Sequence, residues 1–431
     1  MFPSGPAAIP NGAAFGEIPC VNSVTTTAEA PLADPSATLA TAVAAAMSFV
    51  PPWRPRRTPR SYGRRDDESK LFVRFATMGV DMVDWFLAEK IAAYVAGGGG
   101  GRPPKADLEG MVADSQARVV AYTGLEPQSP LPAPEGVSRA EWVRANLGSM
   151  KALLDPVLQK AGGKGPLRPA LRLAAGAVVT AEVGVIVGFM AQRVLGQYEL
   201  VMLEEADPAK RPPRLLFVMP NLGGAVAALK VDEDEFVRWV ALHEVTHAVQ
   251  FAGVPWLHGH LAGMIRELME GMELRLDTAG VSRFPSMDDL KRVVGAVRKG
   301  DIMSLVARPE ERELMNRVQT TMAVVEGHAE HVMDACGEEV LPSLGELRAA
   351  MNRRRRSASA PARILQRLLG LEMKMRQYED GKRFCDTVAR EAGPAGLAHV
   401  WSAPEALPTP EELQDPAQWL RRTSPAAGAA A

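Results

Sequence analysis

Cysteine and net charge are both scarce in this chain. Its 431 residues include only three cysteines, Cys20, Cys336 and Cys385. They form no C-x-x-C pair, which argues against a disulfide framework and against a zinc knuckle built on thiolates. The formal net charge is only -2, so no overall field favours nucleic acid or an anionic membrane. We therefore predict a cytoplasmic protein that binds neither.

Long uninterrupted hydrophobic runs are also missing. The run at 38–50 is rich in alanine and too short to span a bilayer. Asp34 precedes it in place of a basic segment, which argues against a secretory signal. The apolar stretch at 171–199 is interrupted by Glu182 and Arg193, so we interpret it as a buried helix or helix pair.

Composition divides the chain into three parts. Residues 1–66 are rich in Ala, Pro, Ser and Thr and are predicted to be a disordered tail, because such a stretch buries little apolar surface. Residues 67–422 are predicted to form one helical unit, and 423–431 a disordered C-terminus. Within the unit, 97–104 (GGGGGRPP) is interpreted as a glycine-rich insertion and 353–362 (RRRRSASAPA) as an arginine-rich loop.

Helical periodicity dominates the predicted helical unit, where apolar residues recur three and four apart. The clearest strand is 214–220 (RLLFVMP), whose flanking prolines suit a sheet edge. Asp232 provides an N-cap signal with Glu235 as its reciprocal partner. The helix that it opens ends near Gly253 and Pro255. The pattern predicts a mainly α fold with a small β component.

Histidine supplies the strongest chemical signal. The chain has only seven histidines, yet His243 and His247 stand four apart in HEVTH, with Glu244 after the first. Residues four apart share one helix face, so both imidazoles can bind one metal ion. In such an H-E-x-x-H arrangement the glutamate serves as general base toward a zinc-bound water. We predict zinc as the cofactor, with His243 and His247 as ligands and Glu244 as the catalytic base.

A catalytic zinc site needs a third protein ligand. His258 and His260 follow the motif, but they lie beyond the predicted helix end. The segment 324–334 (VVEGHAEHVMD) is helical in pattern, and Glu326 and Glu330 share one of its faces. We favour Glu326 as the third ligand and Glu330 as a carboxylate that hydrogen-bonds a ligand histidine.

Two resemblances bear on this choice. EGHAE is similar to the NEGFA signature of zinc aminopeptidases, in which the glutamate before the glycine binds the metal. About 80 residues separate His247 from Glu326, more than in that family, and an inserted helical unit would explain the difference. More broadly, the chain from about 110 to 422 resembles the zincin-like hydrolases of actinobacteria and their relatives, which are labelled as associated with deazaflavin-coenzyme biosynthesis. The strings that carry this resemblance are LLFVMPNL, WVALHEVTHAVQF, VVEGHAEHVMD and LLGLEMKMRQYEDGKRF.

The family resemblance implies a mainly helical zincin-like metallopeptidase fold, with a small β-sheet beside the H-E-x-x-H helix. It also implies zinc metallopeptidase activity, but it does not imply a substrate. From the H-E-x-x-H chemistry we predict a zinc-dependent hydrolase that acts on a peptide or amide bond of a peptide or protein substrate. Zinc peptidases often add a donor that stabilises the oxyanion, and Tyr378 is a candidate for that role. His328 and His331 are further candidates.

Two other functions remain open at this point. A non-catalytic zinc scaffold would carry the same ligands but would not need Glu244. A nucleic-acid binder would use the arginine run at 353–356, but the near-zero net charge argues against it.

Overall fold

The computed structural model describes residues 83–162, 169–199, 212–278, 309–356 and 371–423. The tail predicted at 1–66 lies outside these residues, as do 424–431. The described part is mainly helical with a three-stranded sheet, so the predicted fold class is confirmed. Within the described residues, no helix is both long and apolar enough to cross a bilayer.

Twelve α-helices and three strands occur in the described residues. The strands are β1 (Pro134–Val137), β2 (Gly196–Glu199) and β3 (Arg214–Val218). The helices are α1 (Trp85–Ala96), α2 (Leu108–Thr123), α3 (Arg139–Gly162), α4 (Pro169–Ala191), α5 (Met219–Leu229), α6 (Glu233–Gly253), α7 (Pro255–Thr278), α8 (Pro309–Gly337), α9 (Leu344–Arg356), α10 (Leu371–Ala398), α11 (Pro410–Gln414) and α12 (Pro416–Thr423).

The sheet has the order β1-β3-β2, so β3 is the central strand. β1 runs parallel to β3, and β2 runs antiparallel to it with Gly196 opposite Phe217. The prediction that 214–220 forms an edge strand was therefore wrong. Its prolines lie just outside the ladder, because β3 ends at Val218 and Pro220 already belongs to the first turn of α5. Proline is tolerated at both places, since no ladder hydrogen bond is lost.

Neither edge strand was predicted from the sequence. β1 lies in the proline-rich stretch at 125–138, and β2 occupies the end of the apolar stretch at 171–199, where α4 stops at Ala191. Each strand has four residues, which is too short for an alternating pattern to be recognised. β2 becomes a strand because β3 pairs with it.

Helix α6 lies at the centre of the packing. It contacts α2, α8 and β2, and this explains why its sequence is apolar on nearly every side. Asp232 caps its N-terminus by accepting a hydrogen bond from the Glu235 N–H at 2.9 Å, as predicted. The predicted reciprocal bond, in which the Glu235 carboxylate accepts from the backbone N–H of Asp232, does not form. The carboxylate instead accepts from the backbone N–H and the hydroxyl of Ser343.

The segment predicted to be a glycine-rich insertion packs directly on α5. The Gly101 N–H donates to the carbonyl of Pro220 at 2.9 Å. A Cβ atom on Gly101 would overlap the backbone of Gly223 and Gly224, and one on Gly223 would overlap the carbonyl of Arg102. Glycine is therefore required on both sides of this contact, because any side chain would push the two backbones apart.

The predicted arginine-rich loop at 353–362 begins as helix. α9 continues to Arg356, and 357–362 lie outside the described residues. Arginine has a high helix propensity, so a run of four can extend an existing helix.

Candidate metal centre

Helices α6 and α8 bring three side chains of the predicted zinc site together. The Nε2 atoms of His243 and His247 are 3.3 Å apart. Glu326 Oε2 lies 3.8 Å from His243 Nε2 and 3.6 Å from His247 Nε2. Across the described ranges, these three residues are the group of His, Cys, Asp or Glu placed to hold a metal ion.

The donor set and its spacing fit a zinc ion. Two imidazole nitrogens and one carboxylate oxygen are a common protein donor set for catalytic zinc. Ligand atoms about 2.0 to 2.1 Å from a tetrahedral ion stand roughly 3.3 Å from one another. The separations of 3.3, 3.6 and 3.8 Å between the three donors are close to this value. His258 and His260, the alternative ligands, lie on α7 and do not belong to the group.

The charge state of His247 reflects its carboxylate neighbours. Burial by itself lowers the pKa of the imidazole, but Glu326 and Glu244 raise it by more, and the pKa stands at about 9. The site therefore attracts positive charge at neutral pH. When no metal ion is bound, a proton on His247 supplies this positive charge. A metal ion must displace that proton in order to bind.

Glu244, the predicted base, is buried directly behind the ligands with 7% of its surface exposed. Its Oε2 accepts a hydrogen bond from the backbone N–H of Tyr198 in β2 at 3.0 Å. Burial raises the pKa of Glu244 to about 7, with His247 and the Tyr198 bond acting in the opposite direction. A carboxyl with such a pKa is suited to exchange protons near neutrality.

Strand β2 presents its outer edge to Glu244. The Val218 N–H donates to the carbonyl of Leu195 at 2.9 Å, so Leu195 faces β3. Backbone groups alternate along an antiparallel strand, and those of Gly196 and Tyr198 therefore point away from β3. The Tyr198 bond to Glu244 agrees with this alternation. Among the described strands, none pairs with this outer edge.

Two adjoining cavities open at the metal centre, where His243 lines both and Glu326 lines the larger one. One has a volume of about 720 Å³ and the other about 220 Å³. Both are lined by Trp239, His243, Glu330, Met333 and Met351. The smaller cavity continues along Gly196 and Glu244. The larger one reaches the polar face of α10, where Lys382 forms ion pairs with Asp334 and Asp386. The cleft is apolar beside His243 and charged farther out.

Gln250 is the main contact that the sequence reading missed. His247 Nδ1 lies 3.0 Å from Gln250 Oε1, and the side chain of Gln250 is completely buried. Gln250 stands three residues after His247, a spacing that puts both on one helix face. That spacing is the sequence signal that could have identified Gln250 as a partner of His247.

The other predicted site residues lie at different distances from this cleft. Glu330 lines both cavities, and its role beside a ligand histidine stays a prediction. Tyr378 lies in α10, but its side chain is outside the described part, so its oxyanion role also stays a prediction. His260 lines a separate cavity of about 800 Å³ that includes none of the three donors.

Neither of the two histidines that flank Glu330 belongs to the donor group. His331 Nδ1 lies 2.7 Å from Asp386 Oδ1, and its Nε2 lies 2.7 Å from the hydroxyl of Tyr122. His328 is buried edge-on against Trp401 with ring centroids 5.1 Å apart. Burial, with help from His331 and His247, lowers the pKa of His328 to about 3, so its ring is neutral.

Comparison with solved structures gives a match to the crystal structure of a "putative hydrolase with a novel fold" from Chloroflexus aurantiacus. The two chains are 26% identical, and the match covers 79% of this chain and 98% of the other with a TM-score of 0.55. The likeness therefore extends over nearly the whole of that protein. No curated protein matches this chain.

The family comparison covers nearly all of the described residues. A family model described as zincin-like metallopeptidase matches residues 83–420. This range includes the three converging donors, Glu244 and the strand beside it. Because the match extends over most of the 431 residues, the chain belongs to the zincin-like metallopeptidase family.

Proposed function

We propose that this protein is a zinc-dependent hydrolase that cleaves peptide or amide bonds. The observation that carries the proposal is the convergence of His243, His247 and Glu326 beside the buried carboxylate of Glu244. The three donors suit zinc, and Glu244 is not one of them. A site that only held a metal would have no need of this additional carboxylate.

A zinc ion held by these three residues would supply Lewis acidity, polarising a carbonyl group and acidifying a water molecule. Glu244 then accepts the proton of the attacking water and delivers it to the leaving nitrogen. A cation beside Glu244 favours its ionised form, which is the form that accepts a proton. The Tyr198 N–H holds one oxygen of this carboxylate and leaves the other for the proton transfer.

The outer edge of β2 is the proposed binding site for an extended substrate. The backbone groups of Gly196 face this edge beside Glu244, and Gly196 lines the smaller cavity. An extended peptide can add to such an edge through main-chain hydrogen bonds. Strand β3 cannot take this role, because β1 and β2 already pair with both of its sides.

The first test is the metal and its consequence. Protein purified after expression with zinc is expected to contain about one zinc ion per chain, since one donor group is present in the described residues. It is expected to cleave members of a peptide and amide library, and a chelator should abolish the cleavage. Elemental analysis and mass spectrometry measure the two quantities. Wild-type protein without bound zinc would contradict the proposal.

A second test uses the close approach of β2 to Glu244. A Cβ atom on Gly196 would lie 2.6 Å from Glu244 Cγ and 2.9 Å from its Oε1. Gly196→Ala is therefore expected to displace the base while all three zinc donors stay in place. A displacement of about 1 Å at a catalytic group can cost about 10²-fold in rate, so kcat should fall by about that factor and zinc content should not change.

Gly263→Ala is the matched control for this substitution. Gly263 lies on α7, and a Cβ atom there would have no neighbour within 4 Å. It should leave both kcat and zinc content as in the wild type. If Gly196→Ala hydrolyses substrate as fast as Gly263→Ala, the base does not depend on the position of β2.

Two predictions from the sequence do not enter this proposal. A cytoplasmic location and an association with deazaflavin-coenzyme biosynthesis both stay predictions. We further propose, from the match to a metallopeptidase family, that the substrate is a peptide or protein. The net charge of -2 supports the proposal that nucleic acid and anionic membranes are not partners.

A further inference from the structure

Gln250 joins the two helices that carry the predicted zinc ligands. From α6, its Oε1 contacts His247 Nδ1 at 3.0 Å. Its Nε2 reaches α8 twice, contacting the carbonyl of Val325 at 3.0 Å and His328 Nδ1 at 3.0 Å. The amide and His328 are fully buried, so water does not substitute for any of these contacts.

The carbonyl of Val325 determines the direction of every hydrogen bond in this group. A carbonyl oxygen only accepts, so the atom of Gln250 that faces it must be the NH₂ group. The Oε1 atom must then face His247 and accept, which places a proton on His247 Nδ1. The second N–H of Gln250 points at His328 Nδ1 and donates to it, which places the proton of the neutral His328 ring on Nε2.

This direction prepares His247 for a metal ion. With its proton on Nδ1, a neutral His247 has its lone pair on Nε2, the atom that faces His243 and Glu326. The opposite tautomer would point an N–H at the position of the ion. The same amide also holds the carbonyl of Val325, the residue directly before Glu326. One side chain therefore orients a ligand on α6 and the backbone beside a ligand on α8.

We propose that Gln250 is a positioning residue for the metal centre and that His328 is its partner. Together they hold His247 in the Nδ1–H tautomer and hold α6 and α8 in register at the three donors. The zinc ion in this inference rests on the proposed function, but the hydrogen-bond directions do not. They exist in the metal-free protein and can be measured there.

The test combines two variants at Gln250 with one control. Gln250→Leu removes all three contacts by replacing the amide with an apolar side chain of similar size. Gln250→Glu keeps an acceptor for His247 but offers no donor to His328. Thr246→Val is the control, because Thr246 is equally buried on α6 and bonds only the Leu242 carbonyl of its own helix.

Two measurements apply to all four proteins. Nitrogen-15 NMR of the histidine side chains in metal-free protein reports which nitrogen of His328 carries the proton. Titration with zinc against a competing chelator gives the dissociation constant. Neither measurement requires hydrolysis, so a wild type that binds zinc but cleaves nothing would remove the proposed activity and leave this inference standing.

In the wild type and in Thr246→Val we expect His328 to carry its proton on Nε2. In Gln250→Glu the proton should move to Nδ1, since the carboxylate can only accept. Gln250→Leu should weaken zinc binding about 10- to 100-fold, as losses of such outer contacts typically do, and Thr246→Val should not. A wild-type His328 protonated on Nδ1, or a folded Gln250→Leu that binds zinc like Thr246→Val, would overturn the inference. If Gln250→Leu does not fold, the His328 proton in the wild type and in Gln250→Glu still decides it.

Discussion

Glu244→Gln is expected to retain zinc and to lose hydrolysis by at least ~10²-fold, the contribution typical of a general base. The amide keeps the size and shape of the carboxylate but cannot accept a proton from water. Zinc should remain because the three donors are His243, His247 and Glu326. Elemental analysis and steady-state kinetics measure the two effects on one preparation.

The local structure should tolerate this substitution. Glu244 accepts a hydrogen bond from the Tyr198 N–H, and an amide oxygen can accept the same bond. In the metal-free protein a gain in stability is expected, and it should grow as the pH rises from about 4.5 to about 7. Burial raises the pKa of Glu244 from 4.5 to about 7, so the unfolded chain releases this proton at lower pH than the folded protein does, and the neutral amide avoids the resulting loss of stability.

Two outcomes would contradict the assignment of Glu244. Full activity in Glu244→Gln would show that another group accepts the proton. If neither protein ever hydrolyses a substrate, while both bind a partner in a zinc-dependent way, the non-catalytic scaffold would become the better explanation. An inactive Glu244→Gln that still binds substrate would in addition trap it for identification by mass spectrometry.

Removing a zinc donor should have the second large effect. His247→Ala and Glu326→Ala are each expected to weaken zinc binding by about 10²- to 10⁴-fold. The estimate follows if the ~10 to 16 kcal/mol typical of protein zinc sites is shared among three ligands. Both residues contribute a donor within 4.8 Å of the others, so neither loss can be replaced by a neighbour in the group.

His260→Ala is the control for these variants. His260 is also a partly buried histidine, but it lies on α7, edge-on to Trp256 and outside the donor group. The zinc affinity of the His260→Ala variant should equal that of the wild type. If His260→Ala loses zinc and Glu326→Ala keeps it, the third ligand has been assigned to the wrong residue.

Local sequence was enough to predict helix α6 and the chemistry on it. The Asp232 cap and the end at Gly253 both follow from short-range signals, and the structure has them. The spacing of His243 and His247 places them on one face of any helix, so their proximity needed no knowledge of the rest of the fold. Helix geometry alone brings these two donors together.

The sequence allowed a ligand far from the H-E-x-x-H motif to be proposed, but it did not give the position of that ligand in space. Glu326 was selected because its segment is helical and resembles a known signature. Its position 3.6 Å from His247 depends on the packing of α8 against α6. The contact between Gln250 and His328 depends on the same packing, and no pattern within either helix contains it.

The sheet shows most clearly what remained for the tertiary structure to decide. Sequence alone predicted a strand at 214–220, because that segment is apolar and bounded by prolines, and the structure has a strand at Arg214–Val218. The sequence did not show that β3 is the central strand. Strands β1 and β2 have only four residues each, and each is stabilised as a strand by its pairing with β3. Strand order, the outer edge of β2 with which no described strand pairs, and the Tyr198 bond to Glu244 all depend on that long-range pairing. Short-range periodicity encodes helices and the spacing of residues on them, whereas contacts between elements arise only when their buried faces pack.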